Sequence, residues 1–186
     1  MPFRLTICGL DEVARHCAGD VTDVLSILDP DGLPPDGLAS YEAHRRLELR
    51  FHDVIEPRPE VILPGREDVA RLLAFGRDVA RRPEPHLLVH CHAGVSRSTA
   101  AACLILAQAR PEQAADEAFA AVAALRPQAW PNLRLIELGD VLLGRGGDLV
   151  AAARTHYRRA LDREPSLAVM MTALGRSREV AAARTA

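Results

Sequence analysis

Residues 86–98 carry the strongest structural signal in this sequence and read His86-Leu87-Leu88-Val89-His90-Cys91-His92-Ala93-Gly94-Val95-Ser96-Arg97-Ser98. The apolar run from His86 to Cys91 follows Pro85, which predicts a short buried strand. An Ala-rich run from Ser98 to Ala109 predicts a helix. A loop of small residues joins the two, so a strand end, a tight loop and a helix start follow one another. Open α/β sheets bind their ligands at this position.

The sequence on either side of this segment also alternates between strand and helix. Strands are predicted for Leu5–Cys8, Val21–Leu28 and Leu47–Asp53, and helices for Leu10–Ala18, Glu67–Ala80, a segment with Pro111 in its first turn, and Leu133–Leu143 capped by Asn132. Such alternation predicts an α/β fold with a central, mostly parallel or mixed sheet that helices flank on both faces.

Length and composition indicate one folded unit. With 186 residues, of which 48% are hydrophobic and 26% charged, the chain can bury a full hydrophobic core. The glycine-rich segment Gly144–Gly147 interrupts the helical pattern, which resumes in an Ala- and Arg-rich tail. We therefore expect a catalytic domain over residues 1–145 and a helical C-terminal extension over residues 146–186, packed on the core or partly flexible.

Charge and cysteine content exclude several classes of protein. The formal net charge of -2 leaves no broad basic surface for nucleic acid. The four cysteines are too few and too irregularly spaced for a secreted disulfide scaffold, and no ligand cluster indicates a metal. The apolar runs are too short for a signal peptide or a membrane span. We expect a cytoplasmic protein with reduced thiols that needs no cofactor and binds neither nucleic acid nor membranes.

The loop after Cys91 has the features of a phosphate-binding site. Five residues, His92, Ala93, Gly94, Val95 and Ser96, separate Cys91 from Arg97, enough for successive backbone N–H groups to point inward next to a helix N-terminus. Small residues permit close approach, and Gly94 can adopt the positive φ of a tight curl. The planar guanidinium of Arg97 would hold two phosphate oxygens at once.

Cys91 is the predicted nucleophile of this loop. A cysteine beside backbone N–H groups and an arginine loses its proton readily, and the thiolate is the reactive form. The Ser98 hydroxyl is within reach of the sulfur and would stabilise it as a leaving group. His90 would order the loop by bonding a nearby carbonyl, and His92 would help to recognise the substrate from the surface.

His90–Ser98 (HCHAGVSRS) resembles the signature loop of the cysteine-dependent protein tyrosine phosphatase superfamily, in the form of its compact dual-specificity branch and bacterial relatives. Leu49–Asp53 resembles the strand that ends in that family's general-acid aspartate, and Arg126-Pro127 with Pro131-Asn132 resembles a later family element. The resemblance implies the cysteine-phosphatase fold and hydrolysis of phosphomonoesters through a cysteinyl-phosphate. The implied partner is a phosphotyrosine-containing protein or another phosphomonoester. Dual specificity would add phosphoserine and phosphothreonine proteins.

Hydrolysis of a phosphate monoester also needs a carboxylic acid that protonates the leaving oxygen. Asp53 is the first choice, because it has the inward parity of the apolar residues before it and lies just past a strand end. Its separation from Cys91 is longer than the resembled family usually shows, so residues 54–64 are expected to form an inserted loop. This insertion leaves Glu56 and Glu60 as alternative acids.

Two other function classes remain open from the sequence. A phosphate-binding module without catalysis would use the same loop, and a rhodanese-like sulfurtransferase would also place a cysteine loop at a strand end. Phosphoinositide-specific relatives of the resembled family carry lysine-rich loops, whereas Ala93 and Val95 stand at those positions here, so inositol lipids are less favoured. The sequence does not indicate an oligomeric state.

Overall fold

The computed structural model describes residues 1–17, 20–35 and 44–185. Four strands lie in these ranges: β1 (Arg4–Cys8), β2 (Asp23–Leu28), β3 (Arg45–Arg50) and β4 (His86–His90). The α-helices in the same ranges are α1 (Val13–Cys17), α2 (Arg66–Ala80), α3 (Arg97–Ala109), α4 (Ala115–Leu125), α5 (Leu133–Leu143), α6 (Asp148–Arg163), α7 (Leu167–Ala173) and α8 (Ser177–Arg184). A short 3-10 helix, Leu10–Glu12, leads into α1.

The four strands form one sheet in the order β1-β4-β2-β3, and every pairing is parallel. This confirms the predicted α/β class and selects the parallel arrangement over the mixed one. The last residue of β4, His90, pairs in register with Cys8 of β1 and Ser26 of β2. Because parallel strands end at the same edge of a sheet, Cys91 lies at the edge where such sheets bind ligands.

The two faces of the sheet bury cores of different size. Alternate side chains of the central strands, such as Leu25, Ile27, Leu87 and Val89, point into the main core, which α2–α6 cover. The opposite face holds a smaller cluster, to which α1 contributes Val13. Helices therefore lie on both faces, as predicted, but most of the helical layer is on one.

The predicted end of β3 at Asp53 is wrong, because the strand ends at Arg50. The N–H of Phe51 still bonds the carbonyl of Leu28 at 3.1 Å, and the chain then leaves the sheet. Asp53 consequently lies in the loop beyond the sheet edge.

The predicted start of α4 near Pro111 is also wrong, because the helix begins at Ala115. The N–H of Gln113 donates to the carbonyl of Arg110 at 3.1 Å and closes a turn of its own ahead of the helix. The Asn132 cap of α5 is confirmed, since its side chain accepts a hydrogen bond from the Leu135 N–H at 3.1 Å.

The C-terminal helices pack against the rest of the chain. Tyr157 of α6 is fully buried, stacks on Trp130 with ring centroids 4.7 Å apart, and donates a hydrogen bond to the Pro131 carbonyl. The adjacent His156 bonds the Ala129 carbonyl at 2.8 Å. Of the two expectations for residues 146–186, these contacts favour an extension packed on the core, and we propose that it unfolds together with residues 1–145.

Replacing Tyr157 by alanine tests this proposal. Loss of a fully buried aromatic side chain should lower the free energy of unfolding by about 3 to 5 kcal/mol. The fluorescence of Trp130 and far-UV circular dichroism should then report one shared transition at lower denaturant. Arg154→Ala, on the exposed side of α6, is the control and should change stability by less than about 0.5 kcal/mol. A helix-only transition that leaves Trp130 unaffected would contradict the proposal.

Candidate active site

The loop that runs from Cys91 to Arg97 (the 91–97 loop) turns its carbonyl oxygens outward. The donors to these oxygens are Leu10 N for His92 (2.9 Å), Arg126 Nη2 for Ala93 (3.2 Å), Arg126 Nε for Gly94 (3.1 Å), Trp130 N for Val95 (2.9 Å) and Asn132 N for Ser96 (3.2 Å). In a trans peptide the carbonyl and the next N–H point in opposite directions, so the following N–H groups face the loop interior. This is the geometry of an anion-binding nest.

Gly94 lets this loop approach the end of β1. Its φ of 69° lies in the left-handed region that glycine adopts without strain. A Cβ at this position would lie 2.5 Å from the carbonyl carbon of Cys8 and 2.6 Å from the nitrogen of Gly9. Both the backbone conformation and the available space therefore require glycine.

Arg126 supports the loop from behind. Its guanidinium, which donates to two loop carbonyls, is held by the carboxylate of Glu12 through contacts of 3.0 and 2.6 Å. Glu12 also accepts the Gly9 N–H at 2.6 Å. The hydrogen bond from Arg126, followed by that from Gly9, lowers the pKa of Glu12 to about 2. The pair is therefore charged at neutral pH and ties the turn after β1 to the loop.

Arg97 is anchored through one end of its guanidinium. The side chain is buried, and Nη1 donates to Asp29 Oδ1 at 2.8 Å and to the Phe51 carbonyl at 2.7 Å. Nε is also buried, and no described residue accepts a hydrogen bond from it. The Nε–Nη2 edge is the one that binds two oxygens of an oxyanion side by side. Among the described residues, this edge has no acceptor, whereas Nη1 fixes the position of the guanidinium.

Cys91 and Ser98 lie in contact within the buried base of the loop. The Cys91 sulfur is 3.2 Å from the Ser98 Oγ, as the sequence predicts. His90 lies one residue earlier, with its Nε2 2.7 Å from the Ser26 hydroxyl, so a side chain of β2 orients the imidazole. Burial lowers the pKa of His90 to about 4, and the ring adds no charge beside Cys91 at neutral pH.

The carboxylate of Asp53 is bound to the loop through one oxygen. Oδ1 accepts hydrogen bonds from Ser96 Oγ at 2.8 Å and Asn132 Nδ2 at 2.9 Å, and it lies 2.5 Å from Arg176 Nη2. Within the described ranges, Oδ2 receives no hydrogen bond. Burial raises the pKa of Asp53, but the charges of Arg176 and Arg97 and the two neutral donors outweigh it and lower the pKa overall. Asp53 is thus ionised at neutral pH.

The two alternative acids lie in the inserted loop. The side chain of Glu56 is 55% exposed and pairs with an arginine of α8 at 3.5 Å, and Glu60 is exposed with a positive φ of 60°. The insertion closes at its base, because His52 N–H donates to the Ile62 carbonyl at 2.8 Å and Ile62 N–H to His52 Nδ1 at 3.0 Å. Within the described residues, Asp53 is the one of these three carboxylates that contacts the 91–97 loop.

Sequence reasoning missed Asp29, Arg176 and the side-chain role of Ser96. Asp29 follows the end of β2, which lies next to β4 in the sheet. A polar residue at that strand end is a sequence signal for a place near the 91–97 loop. Arg176 gives no local signal, since it stands among exposed-looking charges of the C-terminal tail. Spacing predicts the capping role of Asn132 through Oδ1 and its resemblance to a family element, but not that its Nδ2 binds Asp53.

The surroundings of the loop hold a cleft. It has a volume of about 1040 Å³ and is lined by residues that include Leu33, Pro34, Arg126 and the exposed His92 and Ala93.

Over the described part of the chain, no group of three or more His, Cys, Asp or Glu side chains could bind a metal ion. None of the helices there combines the length and hydrophobicity needed to cross a lipid bilayer.

Comparison with known proteins gives a result for structure but not for sequence. No family model and no curated protein matches this sequence. The structure is similar to Tk-PTP in its active form (21% identity, TM-score 0.54, 76% of this chain and 92% of that one). It is also similar to PTPMT1 in complex with PI(5)P (17%, 0.57, 76% and 91%) and to human DUSP28 (18%, 0.53, 76% and 94%). The chain has the fold of the tyrosine and dual-specificity phosphatases. At such identities the chemistry rests on the site residues themselves.

Glu12→Gln removes the charge that holds Arg126 behind the loop. The folded-state pKa of Glu12, about 2, lies below its ordinary 4.5, so its carboxylate stabilises the fold above pH 4.5 and this stabilisation is lost as the pH falls through about 2. At pH 7 the variant should be less stable than the wild type by about 1 to 3 kcal/mol.

Urea unfolding of both proteins across this pH range measures the difference, which should shrink below pH 4.5. Asp11→Asn, an exposed neighbour, is the control. A difference that stays constant from neutral pH down to the pKa of Glu12 would contradict the assignment of the ion pair.

Proposed function

We propose that the protein hydrolyses phosphate monoesters, with Cys91 as nucleophile and Asp53 as acid and base. The observation that carries this proposal is the 91–97 loop, which has inward N–H groups and an Arg97 Nε–Nη2 edge without an acceptor among the described residues. These donors suit the oxygens of a phosphate dianion. Cys91 begins the same loop, so a phosphoryl group bound there would meet a nucleophile.

The first step transfers the phosphoryl group to sulfur. The Cys91 thiolate attacks phosphorus and an S–P bond forms while the P–O bond to the leaving group breaks. The leaving oxygen takes a proton from Asp53, which becomes a carboxylate. Arg97 and the loop N–H groups bind the three remaining oxygens and stabilise their charge in the transition state.

The second step hydrolyses the cysteinyl-phosphate. Water attacks phosphorus, an O–P bond forms, the S–P bond breaks, and the Asp53 carboxylate takes the proton from water. The Ser98 hydroxyl, 3.2 Å from the Cys91 sulfur, donates a hydrogen bond to the departing thiolate. Inorganic phosphate leaves, and Asp53 again carries the proton that the next cycle requires.

Asp53 must be protonated for the first step, although surrounding charges lower its pKa. A bound phosphate dianion offsets the charge of Arg97, one of the groups that lower this pKa, and so favours the proton on Asp53. The ionised form is the one needed in the second step. This balance predicts that catalysis on substrates with poor leaving groups is most effective at acidic pH.

The favoured substrate is a phosphotyrosine-containing protein, with phosphoserine and phosphothreonine proteins as the dual-specificity alternative. Ala93 is exposed and Val95 half-buried on the loop, and neither offers a basic side chain to a second phosphate group. Polyphosphorylated inositol lipids are therefore disfavoured. Turnover of phosphotyrosyl, phosphoseryl and phosphothreonyl peptides beside an inositol phosphate ranks these substrates.

Cys91→Ser and Arg97→Lys should each abolish release of phosphate from an aryl phosphate. A serine hydroxyl without a base is a poor nucleophile, and lysine cannot place two donors as Arg97 does. Cys103→Ala is the matched control and should remain active, because burial raises the pKa of that thiol and it stays protonated. Activity that survives in Cys91→Ser would refute the mechanism.

The same assay separates the two other function classes. A rhodanese-like sulfurtransferase would consume thiosulfate in the presence of cyanide and leave the aryl phosphate intact. A phosphate-binding module would bind phosphopeptides and release no phosphate. Hydrolysis by the wild type that is lost in Cys91→Ser excludes both.

Asp53→Asn tests the acid. The variant should lose a factor of about 10² to 10⁴ in kcat on an aryl phosphate with a poor leaving group. Wild-type kcat/KM for that substrate should fall as the pH rises through the lowered pKa of Asp53, and the variant should lack this fall. Glu56→Gln and Glu60→Gln are the controls. A comparable loss in either one would move the acid to that residue.

A further inference from the structure

One residue of the C-terminal tail reaches the Asp53 side of the 91–97 loop. Arg176, in the turn between α7 and α8, is only 5% exposed. Its Nη2 lies 2.5 Å from Asp53 Oδ1, 2.9 Å from Ser96 Oγ and 3.1 Å from the Asp53 carbonyl. A single guanidinium nitrogen thus contacts both the proposed acid and the loop that binds phosphate.

Arg176 is itself held in place by a second buried carboxylate. Its Nη1 donates to Glu179 Oε1 at 3.1 Å, and Glu179 is fully buried. Glu179 also accepts the Trp130 indole N–H at 2.6 Å and the Leu133 N–H at 2.9 Å. Trp130 and Leu133 flank the segment that supplies Asn132, so the donors to Asp53 belong to one connected network.

The network binds one carboxylate oxygen of Asp53 and leaves the other without a hydrogen bond from any described residue. Ser96, Asn132 and Arg176 all converge on Oδ1, and no described donor reaches Oδ2. A carboxylate fixed in this way cannot rotate to exchange its oxygens without breaking three contacts. Oδ2 is therefore the atom that can exchange a proton with the substrate or with water.

We propose that Arg176 is a positioning residue for catalysis, which fixes the Asp53 carboxylate through Oδ1 and directs Oδ2 to the reacting proton. The inference rests on the proposed phosphatase function. It assigns the C-terminal helices a part in the active site, because their buried turn supplies one of the three contacts that orient the acid.

A neighbouring arginine anchors α8 without contacting the site. Arg178, two residues later, pairs with Glu137 at 2.7 Å and donates to the Ile55 carbonyl at 3.2 Å. These contacts attach the same helix to α5 and to the inserted loop without reaching Asp53 or Ser96. Arg178 is thus a matched control for an anchoring role.

The charge of Arg176 also has a defined effect on Asp53. The charged groups that act on Asp53 are Arg97 from α3 and Arg176, with Glu179 behind Arg176, while Ser96 and Asn132 are neutral. Arg176 lowers the pKa of Asp53. Removing its charge should therefore raise that pKa and extend the acid's protonated form to higher pH.

The experiment compares Arg176→Met, Arg176→Lys and Arg178→Met in the full chain, using two aryl phosphates. One has a leaving group that needs protonation and the other a strongly acidic phenol that does not. Arg176→Met should lower kcat on the first by about tenfold to hundredfold and on the second far less, because only the first depends on Asp53. The basic limb of its kcat/KM profile should move to higher pH.

The other variants define what the result means. Arg176→Lys keeps the charge, so its basic limb should stay near that of the wild type while kcat is partly restored. Arg178→Met should keep the wild-type profile for both substrates. If Arg176→Met loses activity equally on both substrates and its basic limb does not move, the residue has only a structural role and the inference is overturned.

Failure of the inference differs from failure of the proposed function. Inactive wild-type protein, or activity that survives in Cys91→Ser, would refute the phosphatase proposal itself. Circular dichroism and Trp130 fluorescence check that each variant is folded. Removing one partner of a buried ion pair is destabilising. If Arg176→Met does not fold, the same measurements are made on the double variant Arg176→Met/Glu179→Gln, which also removes the opposing charge.

Discussion

The site depends on one constraint: the carbonyl oxygens of residues 92–96 must all be bonded outside the loop, because only then do the N–H groups face inward. The donors come from the turn after β1, from Arg126 and from the segment ahead of α5. Arg126 in turn is held by Glu12. The surrounding fold therefore imposes the shape of the loop, and its donors need no rearrangement when an anion arrives. Such preorganisation is what makes electrostatic stabilisation of a transition state effective.

Much of this arrangement follows from short-range patterns. The strand, loop and helix predicted around Cys91 agree with β4 and α3 to within one residue at each end. The contact between Cys91 and Ser98 and the cap at Asn132 also follow from spacing, because a strand end, a curl and a helix start leave few arrangements for neighbouring side chains. The parity of Asp53 with the strand residues before it predicts its place at the site, although β3 ends at Arg50 and hydrogen bonds between His52 and Ile62 hold the base of the loop.

What sequence could not supply are the contacts between distant segments. Periodicity tells which side of a helix is apolar but not which element will meet it, and arginine and glutamate are rarely buried unless paired. In the tail, Arg176 and Glu179 therefore look like solvated charges, and only the packing of α6–α8 reveals that each is buried against the other. Asp29 and Arg97 meet in the same way, across two strands that are adjacent in space.

Every arginine that touches the loop has a carboxylate partner: Arg97 pairs with Asp29, Arg126 with Glu12, and Arg176 with Asp53 and Glu179. Their charges are therefore largely balanced before any ligand binds, as buried charges must be. Arg97 differs from the other two because its Nε is both buried and without a partner among the described residues. In the proposed mechanism, this guanidinium edge and the ring of inward N–H groups together bind one phosphate group. Because Asp53 pairs with Arg176, the ionised carboxylate can stay beside the loop without occupying the Nε–Nη2 edge of Arg97, which the proposed mechanism assigns to the phosphate group.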